Sequence, residues 1–141
     1  MNVPRTIIVE IPLLPPRELG PNRSRAMHWG QVARVKRLWQ SAVYYAAFNH
    51  SGASFRRASV NISVVVKDRR SIMDTDNIIA IMKSAIDMLT ARDRHGQVGL
   101  GLIIDDGPEY LNIATPIEWI VDKGRAPLTV LKFTEILLHE A

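Results

Sequence analysis

Asp74 and Asp76 stand two residues apart, directly before a run of apolar residues at helical spacing. If the stretch entering that helix is extended, both carboxylates point to one side. Two ionised carboxylates about 4 Å apart repel by roughly 4 kcal/mol at an effective dielectric of about 20, which protonation, solvent or a cation must offset. Taken alone, an Asp-x-Asp at a helix start reads first as capping of free N–H groups. Along the same helix, Lys83 and Asp87 each lie about 20° from the azimuth of Asp76, one on either side. Ala80 completes this stripe, the one polar stripe on an otherwise apolar helix, so a cation-binding end and an ammonium group would face one cleft. The plainer reading is a solvated Lys83–Asp87 pair, in the weaker order for such a pair. Asp105 and Asp106 follow Leu102-Ile103-Ile104. Neighbours on a strand point oppositely, so only one of the two joins a shared site, and the sequence leaves open which. Three carboxylates and one lysine give oxygen ligands only, which suits Mg²⁺, with Mn²⁺ as substitute. Zinc is disfavoured, because cysteine is absent and His28, His50, His95 and His139 are scattered without ligand spacing.

The elements that must position these groups follow from periodicity. Thr6–Leu13 is β-branched and ends at Pro15-Pro16, which predicts a first strand followed by an irregular loop carrying Arg17, Arg23 and Arg25. From about Gly30 to residue 48, Val32, Val35, Trp39, Ala42, Val43 and Ala46 recur at helical spacing. Arg34 and Arg37, with Lys36 on an adjoining face, give this helix a basic side, and its aromatics Trp39, Tyr44 and Tyr45, like Trp29 before it, read as core. Ser59–Val66 alternates as a half-buried strand closed by Lys67-Asp68-Arg69-Arg70. A second helix is predicted over residues 77–89, capped by Asp76 or Asn77. After a loop with Arg92, Asp93, Arg94, His95 and Gly96, Val98–Ile104 reads as strand or extended loop. Ile113–Val121 and Leu128–Phe133 read as strands joined by a hairpin turn at Asp122-Lys123-Gly124-Arg125. Without a strict βαβ rhythm, the expected fold is α+β: a small mixed sheet with two main helices packed on it.

At 141 residues without repeat or composition break, the chain suits one domain spanning 1–141. Neither a signal-peptide core nor a run of about 18 apolar residues is present, so a cytoplasmic protein without a membrane segment is expected. Net charge is +4, unevenly placed: residues 1–73 carry twelve Lys or Arg against three acids, residues 74–141 six against eleven. A basic half that could neutralise phosphates beside an acidic half that could hold a cation is what a metal-dependent nuclease requires; an ordinary basic surface is the alternative.

Asp74-Thr-Asp76-Asn77, Lys83, Asp87-Met-Leu89, a glycine-containing stretch and Ile104-Asp105-Asp106 together resemble the ordered signature of the RusA family of Holliday-junction resolvases. The resemblance extends more loosely to Ile11-Pro12…Pro15-Pro16, the basic helix, Arg69-Arg70 and the closing Val121–Val130 segment, and so covers nearly the whole chain. The lysine comes about one turn later than in the best-known members, residues 92–101 look inserted, and the usual Ser-x-Asn after the double proline is missing. The resemblance implies a RusA-like fold and a homodimer that resolves four-way DNA junctions by paired symmetric nicks, leaving 5′-phosphates. Asp74, Asp76 and Asp106 would be catalytic and hold the metal, Lys83 would be the catalytic lysine, and Asp105 and Asp87 are possible additional acids. Arg23, Arg25, Arg34, Lys36, Arg37, Arg69 and Arg70 would grip DNA phosphates. A bacterial cytoplasm, with a phage or prophage gene, is the setting implied. Two readings compete: a nuclease for flaps, forks or other branched DNA, and a non-catalytic DNA-binding module whose acids serve folding and capping.

Overall fold

The computed structural model describes residues 3–21, 27–90 and 99–137. Among these residues five strands and two long helices follow one another as β1 (Thr6–Ile11), α1 (Trp29–Ala47), β2 (Ala58–Val66), α2 (Thr75–Asp87), β3 (Leu111–Ile113), β4 (Glu118–Val121) and β5 (Leu128–Glu135). Short 3-10 turns lie at Arg17–Leu19, Phe48–His50 and Arg69–Ser71. The result is the expected α+β domain with one mixed sheet.

β2 is the organiser of the sheet. Its end, Val64-Val65-Val66, is wholly buried, and a strand buried on both faces needs partners along both edges. β5 pairs with one edge antiparallel, and β1 pairs antiparallel with β5. Along the other edge β3 and then β4 run parallel to β2. Register aligns Ile7, Phe133 and Val60 in one row, Val9, Leu131 and Ile62 in the next, and Ile11, Thr129 and Val64 in a third. Most of these side chains belong to a single core with Trp39 and Val43 of α1 and with Ile78, Ile81, Met82 and Ala85 of α2. The opposite sheet face carries the partly or fully exposed Ser59, Asn61, Ser63 and Lys132. Thr129 is buried and donates its hydroxyl to Leu13 O at 2.7 Å, which pins the chain leaving β1.

Three expectations are corrected. The predicted hairpin does not form: β4 and β5 flank β2 on opposite edges, and the Asp122–Arg125 turn crosses between them, with Gly124 N–H bonded to Asp122 Oδ1 at 2.9 Å. Turn chemistry was read correctly there, but the demand of β2 for two partners decides the pairing. The strand predicted over 113–121 is split into β3 and β4 around the cis Thr115–Pro116 bond. Of the four aromatics expected in the core, only Trp39 is buried; Trp29 and Tyr45 are each 78% exposed and Tyr44 is 36% exposed. α1 has one buried stripe, and Trp39 and Val43 fill it.

Within 99–104 there is no strand: Gly101 has a φ of 68° and only Ile103 forms isolated parallel bridges, to Phe55 and Thr90. The loop 92–96 and Val98 lie outside the described residues. Among the described residues no helix is long and apolar enough to cross a membrane.

Candidate functional site

α2 starts two residues earlier than the periodicity predicts, with Asp74 as N-cap and Asp76 in the first turn. The extended entry that would have aligned the two carboxylates therefore ends at Asp74, and Asp76 and Asn77 are helical rather than capping. Both acids are exposed and sit where free backbone N–H groups and the helix dipole favour negative charge. Asp74 nonetheless makes no side-chain capping bond, although aspartate at this position ordinarily accepts one from the next turn. Among the described residues neither carboxylate has a side-chain or backbone partner.

The approach to this pair is built by two loops. Asp68 accepts the Arg70 N–H at 2.8 Å, closing the Arg69–Ser71 turn, and the Arg70 guanidinium folds back on the same carboxylate at 3.3 Å. These bonds, the backbone one foremost, hold the Asp68 carboxyl below its usual range. Arg17 of the proline-rich loop donates to Arg70 O, and Gly20, at the end of that loop, sits against Asn77. A Cβ on Gly20 would meet Arg17 O at 3.1 Å and Asn77 Oδ1 at 3.4 Å, so the close approach of loop to helix uses the missing side chain.

Further along α2 the predicted polar stripe does face a cleft. Ala80, Lys83, Ser84 and Asp87 line it on one side, Val32 and Lys36 of α1 on the other, around a volume of about 290 Å³. Among the described residues no ion pair within 4.0 Å joins Lys83 to Asp87. Lys36 facing Lys83 was missed from the sequence. Its signal was present: Lys36 lies four residues after Val32 and three before Trp39, on the packed side of α1 rather than with Arg34 and Arg37. A larger cavity of about 370 Å³, lined mainly by apolar groups from Leu13 to Pro16 with Leu38, Met73 and Trp119, contains none of the candidate acids.

Asp105 and Asp106 are both exposed, in a loop rather than on a strand. Asp105 is turned back on its own chain, accepting the Asp106 N–H at 2.8 Å. Just before them, the N–H groups of Leu102 and Ile103 bond to Leu89 O, past the C-terminal end of α2. The two acidic segments are thus tied to opposite ends of a 13-residue helix, a length of about 20 Å at 1.5 Å per residue. Among the described residues no three His, Cys, Asp or Glu side chains are grouped to hold a metal ion. Asp74 and Asp76 share the N-terminal end of α2, whereas the segment that carries Asp105 and Asp106 is bonded beyond its other end.

Of the predicted phosphate contacts, Arg34, Lys36, Arg37, Arg69 and Arg70 are exposed, while Arg23 and Arg25 lie outside the described residues. Arg34 and Arg37 point from the outer side of α1, Lys36 borders the cleft, and Arg69 and Arg70 precede the Asp74–Asp76 pair. Comparison of the chain with protein-family models and with curated proteins found no match.

Proposed function

We propose that the chain is a Mg²⁺-dependent endonuclease of branched DNA, a Holliday-junction resolvase of the RusA kind working as a homodimer. The observation that carries this reading is the unpartnered Asp74–Asp76 pair at the start of α2, on the helix that also sends Lys83 into a cleft shared with Lys36. Mg²⁺ characteristically uses one or two carboxylates and fills its remaining positions with water and substrate phosphate, so two exposed carboxylates without partners among the described residues suit it. Asp74 and Asp76 would hold the ion, which when bound supplies an activated water and charge stabilisation at the scissile phosphodiester.

The chain's own groups do the rest. Arg69 and Arg70 lie five and four residues before Asp74 and attract backbone phosphate toward the acids, giving shape-directed affinity that weakens steeply with salt. Lys83 and Lys36 place two ammonium groups at the cleft, where they offset charge that builds on the phosphate as the bond breaks. A two-fold homodimer would present two equivalent sites to a four-way junction, as paired nicks require.

The test is cleavage of a synthetic mobile four-way junction against linear duplex, flap and fork substrates, in Mg²⁺ and in EDTA, for wild type and Asp76→Asn. The expected result is symmetric, Mg²⁺-dependent nicking of the junction, reduced by at least about a hundredfold in Asp76→Asn. Binding of the junction with no cleavage in Mg²⁺ or Mn²⁺ would replace the enzyme with a DNA-binding module, and preference for flaps or forks would reassign the substrate.

A further inference from the structure

The outer side of α1 carries an exposed apolar surface that nothing among the described residues covers. Leu38 is 64% exposed, Tyr45 78% and Phe48 54%. At 100° per residue these side chains fall into two adjoining rows, Arg34, Leu38 and Tyr45 in one and Arg37, Tyr44 and Phe48 in the other, with Ser41 between them. Tyr44 joins the rings together, meeting Tyr45 edge-on at 5.7 Å and Phe48 at 5.8 Å. Each row therefore begins with a guanidinium and ends with rings. Among the described residues neither Arg34 nor Arg37 has a hydrogen-bond or ion-pair partner.

The charge pattern selects the occupant. α1 contains Arg34, Lys36 and Arg37 and no acid. A second copy packed on this face by a two-fold axis would offer rings to the arginines but no acid of its own α1 to neutralise them. A strand of nucleic acid supplies both missing partners: phosphates for the arginines and flat, unpaired bases for the rings. Duplex DNA supplies only the first, because its bases are stacked on each other. Base–aromatic stacking is sequence-tolerant, as expected of a surface with no fixed array of donors and acceptors.

We infer that the outer face of α1 is a binding surface for single-stranded nucleic acid, with Arg34 and Arg37 on the backbone and Tyr44, Tyr45 and Phe48 stacking against unpaired bases. The inference deepens the branched-DNA reading and rests on it for its biological substrate: this face would engage unpaired bases where strands exchange.

The experiment is a fluorescence-anisotropy titration in EDTA, so that no strand is cut, with a labelled oligothymidylate and a labelled duplex. Tyr45→Ala combined with Phe48→Ala is expected to weaken oligothymidylate binding by about tenfold or more and to leave duplex affinity within about twofold. Tyr45→Phe retains the ring and is expected to bind as wild type. Arg34→Ala with Arg37→Ala should reduce the slope of log affinity against log salt by about 1.4. Wild-type oligothymidylate binding by the folded double aromatic variant, checked by circular dichroism, would overturn the inference; if that variant also sediments as a smaller species, the face belongs to a second copy. Equal loss on single strand and duplex would overturn it too. The endonuclease reading fails separately, on absence of Mg²⁺-dependent cutting, which these titrations do not measure.

Discussion

Lys83 is exposed on α2 without an ion-pair partner among the described residues, and it faces Lys36 across the cleft. A lysine kept for structure would be expected to pair with Asp87, four residues on. The contrast with the chain's structural ion pairs is direct. Glu135 is held below its usual range by bonds from the side chain and backbone of Arg5, which join the start of β1 to the end of β5. Since the folded state lowers the Glu135 pKa, its contribution is complete above the ordinary glutamate range and is lost as pH falls through the lowered value. Lys83 has no such contact to lose. If it offsets charge on the reacting phosphate, Lys83→Ala should lower the single-turnover cleavage rate by about 10²–10³ while junction affinity changes little. Lys83→Arg should keep most of the rate, because charge rather than proton transfer is required of it. A Lys83→Ala enzyme that cuts at the wild-type rate removes the lysine from the mechanism.

The segment 99–103 shows how element packing sets the limits of substitution. It lies against the C-terminal end of α2, with Leu100 N–H on Met88 O and Gly101 N–H on Thr90 O. A Cβ on Gly99 would collide with Thr90 O, which is backbone and cannot step aside as a flexible side chain would. Gly99→Ala should therefore destabilise the domain by about 1–3 kcal/mol, read as a lower urea midpoint with an unchanged slope. Much of this scale was legible beforehand. Apolar spacing located β1, β2 and both helices to within a few residues, because each has one face that must be buried. The pairing of strands was not legible, since Asp122–Arg125 looks the same whether it closes a hairpin or crosses an intervening strand. The exposure of Tyr44 and Tyr45 was equally hidden, because hydrophobicity marks a residue as apolar without saying that the buried stripe of α1 is already full. At the site, the Asp74-x-Asp76 pair and the Lys83 stripe could be read from local spacing, whereas the separation of Asp106 from them depends on where the loop after α2 returns.

At the scale of the whole molecule, that separation constrains how a resolvase could be assembled. Asp74 caps the N-terminus of α2, and the segment leading to Asp105 and Asp106 is bonded to Leu89 beyond its C-terminus. If cleavage needs Asp106 as well as Asp76, one chain does not bring them together, and in a homodimer the missing carboxylate has to come from the partner. This can be decided by mixing inactive proteins. Asp76→Asn and Asp106→Asn, each inactive alone, are unfolded, combined in equal amounts and refolded. With random pairing, about half of the dimers are mixed. Each mixed dimer then holds one site with an intact Asp74–Asp76 pair from one chain and an intact Asp106 from the other, so about a quarter of the wild-type sites return. Junction nicking should recover toward that level, appearing as single nicks rather than paired ones, since the second site of each mixed dimer carries both substitutions. No recovery, with mixed dimers verified by mass spectrometry, would place the carboxylates of each working site in a single chain. Full activity of Asp106→Asn alone would remove Asp106 from the site and leave Asp74 and Asp76 as its protein ligands.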